Sequence, residues 1–343
     1  MRKILFPLSL LFGFIVWLRN VLYDVGVFAS EKISVPVISI GNITTGGTGK
    51  TPHTIYVVQQ LLQLQKKVAI ISRGYGRGTT GTYVVSNGKE IFGTSEECGD
   101  EPLQIAKTFH NAVVIVDEER VRAAKMAVQQ FAVDVVVLDD GFQHRKIRRD
   151  LDIVIIDSQE KNEMLLPSGN KRELWSSLKR SDVIIFSRWN DFNNNSLFEE
   201  KTKQFPGKFF LKTKFTPSRV RNFWTGEEQR VSVLQNTLIV AFCGIGNPSS
   251  FQNLLEECGG IVKKFTIFSD HYSFTKNDCN NLLKDYETIQ PQFVITTEKD
   301  AERLMSEDKK TSLLELPLHL LTISTEFVEG EQILQKKIEK LFH

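Results

Sequence analysis

The stretch VPVISIGNITTGGTGKTP, residues 35–52, decides the fold of this chain, because it joins an apolar run to a glycine-rich loop. Residues 35–40 are typical of a buried strand, and residues 50–64 have the pattern of a helix that follows the loop. A strand, a glycine-rich turn and a helix in this order form the context that a Walker A loop requires. The sequence therefore predicts a phosphate-binding loop at residues 44–51.

The residue types of this loop suit a nucleoside triphosphate and a magnesium ion. Glycines let backbone N–H groups crowd around phosphate oxygens, and the helix N-terminus adds partial positive charge. Lys50 is expected to bridge the β- and γ-phosphates of ATP, and the hydroxyl of Thr51 to bind Mg²⁺. Thr44 occupies the position of the first Walker glycine, so the following glycines are expected to supply the turn. A glycine-rich turn without a ligand is the alternative. The expected nucleotide contacts are Thr44, Thr45, Gly46, Gly47, Thr48, Gly49, Lys50 and Thr51.

Beyond the loop, short β-branched runs alternate with helical patterns. Continuous apolar strands of this kind are typical of parallel sheets that are covered on both faces. We therefore predict an α/β fold: a P-loop NTPase-like, doubly wound parallel sheet with a second, smaller α/β domain. The first domain's further strands are expected at residues 68–72, 113–116, 135–138, 153–156 and 183–186, and its further helices at residues 102–109 and 118–131.

The alternation stops at a turn-rich stretch, residues 189–196, and resumes near residue 238. Between these points, residues 209–215 and 220–224 are expected to pair as a β-ribbon. The predicted division of the chain is a membrane-associated helix (1–30), a P-loop ATP-binding domain (31–190), a linker with the ribbon (191–235) and a smaller α/β domain (236–343). A final helix is predicted at residues 332–341, and the sequence leaves open which domain it packs on.

The N-terminus contains a nearly unbroken apolar run, residues 4–18, between cationic residues. As a helix this run reaches about 22 Å, which is less than the ~30 Å hydrocarbon core of a bilayer. A signal peptide and a helix buried in the protein are two interpretations. We favour a third, a helix that lies in or dips into the bilayer with Trp17 and Tyr23 at the interface, because an ATP-binding domain follows directly.

The overall composition indicates an ordinary globular protein, with 343 residues, 41% hydrophobic residues and a net charge of +2. No basic face with interleaved aromatic residues occurs in the sequence, so we expect no nucleic-acid partner. The four cysteines lie far apart and lack zinc-ligand spacing. We therefore expect reduced cysteines without a catalytic or metal-binding role.

Acidic residues follow one predicted strand and precede one predicted helix, and both positions suit metal binding or proton transfer. Asp139 and Asp140 end the apolar run 135–138, as in a Walker B strand, so Asp139 is expected to orient Mg²⁺. Asp100 precedes a predicted helix and is either an ordinary helix cap or a general base toward a hydroxyl group. His271, from the second domain, could tune such a base by forming an Asp–His pair.

Cationic residues of the chain are candidates for binding anionic groups of a ligand. Arg73 and Arg77 are candidate anion contacts, and so is the cluster at residues 144–149, for which a solvated charged turn is the alternative. A GTPase or metallochaperone-type switch would share the phosphate loop. However, residues 297–300 read TEKD, the wrong order for reading guanine, and Phe142 stands where a DxxG motif needs glycine.

Taken together, these segments resemble the tetraacyldisaccharide 4'-kinase family of the lipid A pathway. The segments that carry the resemblance are GNITTGGTGKTP (41–52), SRGYGR (72–77), GDEP (99–102), DDGFQHRKIRRDLDIVIID (139–157), LLPSGNKRE (165–173), GIGNP (244–248), FSDHYSF (268–274) and TTEKDAERL (296–304). They span nearly the whole chain, and the pairing of GDEP with DDGFQHR is specific to this family. There are two departures: the family often has a second histidine where Tyr272 stands, and its GPLRE motif is GNKRE here.

The resemblance implies a kinase that moves the γ-phosphate of ATP to the 4'-hydroxyl of a tetraacyl disaccharide 1-phosphate, yielding lipid IV A. The implied site residues are Asp100, His271, Asp140 and Lys50 as catalytic groups, and Thr51, Asp139 and Glu101 as metal ligands. Beside them, Arg73, Arg77, Gln143 and His144 are the candidate substrate contacts. The N-terminal helix matches the family's membrane anchor. The lipid acceptor is then expected at the cytoplasmic face of the inner membrane of a Gram-negative-type bacterium. The oligomeric state stays open, and a monomer is compatible with the sequence.

Overall fold

The strand that leads into the glycine-rich loop, β1 (Val37–Asn42), lies inside a large sheet and is buried along its whole length. It pairs in parallel with β5 (Val135–Asp139) on one side and with β6 (Leu151–Asp157) on the other. These contacts are seen in a computed structural model, which describes residues 5–160, 164–190, 196–270, 272–304, 313 and 316–343. The Val- and Ile-rich composition suits this position, because protein covers both faces of the strand.

Four more strands complete the N-terminal half of the sheet: β2 (Val68–Ser72), β3 (Tyr83–Asn87), β4 (Val113–Val116) and β7 (Val183–Ser187). Their order is β3-β4-β2-β5-β1-β6-β7, and all pairs are parallel except β3 with β4. The helices of this half are α2 (Lys50–Gln63), α3 (Ser95–Cys98), α4 (Asp100–Thr108) and α5 (Arg120–Phe131). Helices α2 and α4 pack on one face and α5 on the other, which confirms the predicted doubly wound sheet.

The predicted ribbon is wrong in its pairing, because residues 209–215 and 220–222 belong to one strand and residues 223–224 lie in the turn that follows it. This strand, β8 (Phe209–Asn222), starts in parallel beside β7 and then pairs antiparallel with β13 (Leu318–Glu329). The sequence pattern is interrupted by Pro217, which has no N–H to donate. The register shifts at this point, and such an irregularity lets a strand continue past a proline.

The C-terminal half adds a parallel group of strands, β10 (Leu238–Cys243), β11 (Ile261–Ile267) and β12 (Phe293–Thr297), in the order β11-β10-β12-β13. Hydrogen bonding therefore runs from one half of the sheet to the other through β8 and β13. The domain boundaries expected from the sequence stay a prediction. The remaining elements here are α6 (Ser196–Gln204), β9 (Glu228–Arg230), α7 (Pro248–Glu257), α8 (Lys276–Ile289) and α9 (Glu298–Arg303).

The last helix, α10 (Glu331–Glu339), packs on the N-terminal half, which answers the question that the sequence left open. Leu334 and Ile338 are fully buried in the same apolar cluster as α2. The hydroxyl of Tyr56 on α2 donates a 2.8 Å hydrogen bond to Glu331. The chain therefore returns from the C-terminal half to complete the first hydrophobic core.

The first helix, α1 (Phe6–Asp24), exposes most of its apolar side chains, and only 6% of its most apolar 18-residue window is buried. The interpretation as a helix buried in the protein is therefore wrong. Its buried residues are Ser9 and Gly13; the Ser9 hydroxyl donates to the carbonyl of Leu165 at 3.0 Å. A Cβ on Gly13 would lie 2.7 Å from the Leu165 side chain. Among the described helices, α1 alone is long and apolar enough to cross a membrane.

The packing of α10 predicts a clear difference between two isoleucines on that helix. Ile338→Ala removes a side chain that is fully buried, so it is expected to lower the free energy of unfolding by about 2–4 kcal/mol. Ile333→Ala is the matched control, since Ile333 is 37% exposed and its truncation leaves no cavity. Urea unfolding of both variants measures the difference, and equal losses would contradict the described packing.

Candidate active site

A cavity of about 1340 Å³ lies at the edge of the sheet where the parallel strands end. Residues 45–52 of the glycine-rich loop line it, and Gly246 and Lys299 from the C-terminal half line it as well. Phe12 and Val16 of α1 reach into the same cavity. Open α/β sheets bind ligands at the carboxyl ends of their strands, so this is the expected place for a nucleotide.

Hydrogen bonds from neighbouring segments fix the loop in shape. The Asn42 side-chain amide donates to the Thr48 hydroxyl at 2.9 Å, and the Thr45 N–H donates to the carbonyl of Asn170 at 2.7 Å. Thr44 is buried, pairs with Lys171 in an isolated bridge and does not line the cavity. Of the eight expected nucleotide contacts, Thr44 is therefore the one that the structure places outside the cavity lining.

Glycine is required at the last loop position before α2. Gly49 has φ +85°, a left-handed conformation that other residues adopt only with strain. A Cβ there would lie 2.2 Å from Cζ of Phe215, a residue of β8 that also lines the cavity. The aromatic ring thus lies directly against the start of α2.

The two acids at the end of β5 differ in environment. Asp139 is buried and accepts a 2.9 Å hydrogen bond from the Thr54 hydroxyl. Burial, and then the charges of Glu101 and Asp140, raise the pKa of Asp139 to about 6. Burial also raises the pKa of Asp140. The positive charges of Lys50 and Arg172 lower it by more, so the pKa of Asp140 lies below its usual value.

Cations surround Asp140 on several sides. Lys50 lies 3.7 Å from its Oδ1, and Arg172 lies 2.9 Å from its Oδ2. Arg120, on α5, is buried and donates a 2.7 Å hydrogen bond to the backbone carbonyl of Asp140. Desolvation lowers the pKa of Arg120, while the nearby Asp140 and Asp139 oppose this change. The Walker lysine and the acidic strand end are thus held together by ion pairs.

The start of α4 is tied to α9 of the C-terminal half. Arg303 donates to Asp100 at 2.6 Å and to the carbonyl of Gly244 at 3.0 Å. Lys299 donates to Glu101 at 3.1 Å, and both residues of this pair line the cavity. His271 lies outside the described residues, so its pairing with Asp100 stays a prediction.

The four expected substrate contacts fall into two groups. Arg73 and Gln143 line the cavity, and Gln143 donates to the backbone carbonyl of Asn42 at 2.8 Å. Arg77 does not line it, because its guanidinium pairs with Glu118 and donates to backbone carbonyls.

His144 also lies outside the cavity lining, although Gln143, the residue before it, lines the cavity. Burial, and then the charge of Arg120, lower the pKa of His144 to about 4. At neutral pH this imidazole is therefore uncharged, which removes the electrostatic reason for the expected anion contact.

Sequence reasoning missed several cations that the fold brings to the loop. Arg172 pairs with Asp140, and Arg188 donates to the carbonyl of Gly47 at 2.8 Å while it pairs with Asp157. Arg172 lies in the GNKRE segment, so its motif was visible although its role was not. Lys299 lies in the TTEKDAERL segment, so its motif was visible as well. Arg188 has no local signal, because tertiary contacts alone bring it to the site.

The sheet order, the glycine-rich loop and the paired acids define a P-loop nucleotide-binding protein whose cavity is shared with an apolar helix. Comparison with known proteins narrows this class. The family model for tetraacyldisaccharide-1-P 4'-kinase matches residues 1–343, and the chain belongs to this family. The resemblance seen in the sequence is thereby confirmed.

Individual relatives are similar to this chain over more than nine-tenths of their lengths. The chain is 38% identical to a tetraacyldisaccharide 4'-kinase from Chlorobaculum parvum, over 97% of this chain and 92% of the relative. It is 34% identical to the enzyme of the same name from Bdellovibrio bacteriovorus, over 92% and 93% of the two chains. A crystal structure of LpxK from Aquifex aeolicus in complex with ATP is similar with a TM-score of 0.79 and 32% identity, over 100% of this chain and 99% of that one.

The contact between Phe215 and the loop predicts the effect of adding one methyl group. Gly49→Ala is expected to cost about 1–2 kcal/mol of stability through backbone strain and to abolish binding of an ATP analogue, because the ring of Phe215 must move. Gly81→Ala is the control, since Gly81 has φ +74° with open space around it. Thermal unfolding and nucleotide titration of both variants measure this. Normal nucleotide binding by Gly49→Ala would rule out the described loop geometry.

Proposed function

We propose that this chain transfers the γ-phosphate of ATP to the 4'-hydroxyl of a tetraacyl disaccharide 1-phosphate, forming lipid IV A. One observation carries the proposal: a phosphate-binding loop and an apolar, exposed helix line the same cavity. Loop residues 45–51 offer backbone N–H groups to a triphosphate, while Phe12 and Val16 offer an apolar wall to acyl chains. Membership of the tetraacyldisaccharide-1-P 4'-kinase family supports this assignment.

In this proposal the protein positions ATP and stabilises negative charge as it develops. Lys50 projects from the N-terminus of α2 and neutralises charge on the β- and γ-phosphates. Asp140 holds Lys50 and Arg172 near the loop through ion pairs. Such prearranged charges lower the barrier, because they need no reorganisation during the reaction.

Mg²⁺ is the proposed metal cofactor, and the oxygen donors of the site are of the kind it binds: Thr51 and Glu101 line the cavity, and Asp139 is buried near Glu101. No group of three or more His, Cys, Asp or Glu side chains in the described part of the chain could hold a metal by itself. Mg²⁺ typically takes one or two carboxylates and completes its shell with water and substrate phosphates. Thr51, Asp139 and Glu101 would hold it, and the bound cation supplies charge neutralisation on the phosphates.

Asp100 is the proposed general base toward the acceptor hydroxyl. It lies at the start of α4 beside Glu101, whose side chain lines the cavity. The bond from Arg303 fixes one carboxylate oxygen of Asp100 and links its position to the C-terminal half. Closure of the two halves around ATP would exclude water, which limits wasteful hydrolysis.

The lipid acceptor would be taken from the membrane surface along α1. The exposed apolar side chains of α1 suit the bilayer, and Arg19 lines the cavity at the polar end of the helix. Arg73 and Arg172 offer donors to the sugar hydroxyls and the 1-phosphate, and Gln143 lines the cavity near them. Because ATP is the donor, the proposed location is the cytoplasmic face of the inner membrane.

The proposal predicts the loss of product in two single variants. Lys50→Ala is expected to lower the rate by about 10²-fold or more, since it removes charge stabilisation of the transferred phosphate. Asp100→Asn is expected to lower kcat by about 10²–10⁴-fold while the KM for ATP changes little. Mass spectrometry of the lipid after incubation with MgATP measures one added phosphate and its position. Lys67→Ala is the control, because Lys67 is exposed and lies beyond the end of α2. A normal rate for Asp100→Asn would exclude the role of Asp100 as the general base.

The structure also predicts a preference for ATP over GTP. Reading guanine needs an available aspartate, yet the buried carboxylate of Asp300 already accepts hydrogen bonds from the Thr297 hydroxyl (2.7 Å), the Gly244 N–H (3.0 Å) and Arg303 (2.9 Å). Excess GTP is therefore expected to leave a bound fluorescent ATP analogue in place, whereas excess ATP displaces it. Equal displacement by the two nucleotides would favour the GTPase-type switch instead.

A further inference from the structure

A buried histidine connects the glycine-rich loop to the strand that joins the two halves of the sheet. His53 lies in the first turns of α2 and is 1% exposed. Its Nδ1 lies 2.7 Å from the carbonyl oxygen of Gly49, and its Nε2 lies 2.9 Å from the hydroxyl oxygen of Thr213 on β8. Both ring nitrogens are therefore engaged, one by the loop and one by β8.

The hydrogen-bonding properties of these two partners determine which ring nitrogen of His53 carries the proton. A carbonyl oxygen can only accept, so Nδ1 carries the proton and donates to Gly49. Nε2 is then an acceptor, and the Thr213 hydroxyl donates to it. Burial lowers the pKa of His53 to about 4, so the ring is neutral at physiological pH and keeps this pattern.

A second contact reinforces the link. The ring of Phe215, two residues after Thr213 on β8, packs edge-on against the His53 ring, with centroids 5.7 Å apart. The same phenyl ring lies against Gly49 and lines the cavity. Two side chains of β8 thus act on Gly49, the residue that precedes Lys50: Phe215 by direct contact, and Thr213 through the ring of His53.

Thr213 lies where β8 stops pairing with β7 and continues beside β13. Lys212 is the last residue of β8 that pairs with β7, and Thr213 pairs with Phe327 of β13. Thr213 therefore lies at the point where β8 leaves the N-terminal strands. Its backbone carbonyl also accepts a 2.8 Å hydrogen bond from the Trp189 N–H, which fixes the strand there.

We propose that His53 is a positioning residue for ATP: it holds the start of α2 against β8 through Thr213, and so keeps the loop in its phosphate-binding shape. This inference rests on the proposed binding of ATP at the loop. A buried histidine with a purely packing role would need neither partner at the active site. Here one hydrogen bond ends on the loop itself and the other on the strand that continues to the C-terminal half.

Removing one hydrogen bond at a time tests the link. Thr213→Val keeps the shape of the side chain but removes the donor to Nε2, while Thr213→Ser keeps that donor. His53→Asn retains a donor toward the Gly49 carbonyl and loses contact with Thr213. Thr237→Val is the matched control, because it removes a 2.7 Å hydroxyl bond to the Leu234 carbonyl away from the cavity.

Binding of MgATP without lipid, and the KM for ATP and for the lipid acceptor, are then measured for each protein. Thr213→Val and His53→Asn are each expected to weaken MgATP binding by roughly five- to tenfold and to raise the KM for ATP similarly, with the KM for lipid unchanged. Their double variant is expected to match the single variants, since both remove the same bond. Thr213→Ser and Thr237→Val are expected to bind MgATP normally.

Two results would overturn the inference in different ways. If Thr213→Val lowers thermal stability but binds MgATP as tightly as the unmodified protein, His53 is a packing residue only, and the proposed kinase function is untouched. If the unmodified protein itself binds no MgATP, the inference and the proposed function fail together.

Discussion

A glycine-rich loop can bind phosphate only if its N–H groups converge on one point, and in this chain distant segments impose that shape. The carbonyl of Asn170 holds Thr45 from one side, and Arg188 holds the carbonyl of Gly47 from another. Phe215 closes the last turn of the loop at Gly49. Because these contacts come from the loop after β6, the end of β7 and the middle of β8, the phosphate site exists only in the assembled fold.

One polar network joins the apolar helix to the phosphate site. Asn20 of α1 donates to Glu173 at 2.7 Å, and Gln143 donates to the other oxygen of the same carboxylate at 3.0 Å. Gln143 in turn accepts from Arg172, which pairs with Asp140. Glu173 is 1% exposed, and a buried carboxylate is costly unless its partners stay in place. The position of α1 and the charge balance beside the Walker lysine are therefore set by the same side chains.

The sequence predicts those structural features that depend on neighbouring residues better than those that depend on contacts between distant residues. The strand, loop and helix around Lys50 and the acids after Leu138 were visible because their spacing is local. The single strand β8 was not, since Pro217 interrupts its pattern and its partner lies a hundred residues away. Arg188 is a second example, because no neighbouring residue in the sequence indicates that its guanidinium donates to the carbonyl of Gly47 in the loop. The roles of Arg77 and His144 depend on burial and partners, which charge alone does not reveal.

The return of α10 to the first core has a consequence for how the two halves of the sheet unfold. Leu334 and Ile338 follow the C-terminal strands in sequence, yet they fill a cluster whose other buried members lie at or before Leu211. A segment beyond β13 therefore covers the core to which α2 contributes. Unfolding of the C-terminal strands would release α10 and uncover this core, so the two halves are expected to lose their structure together.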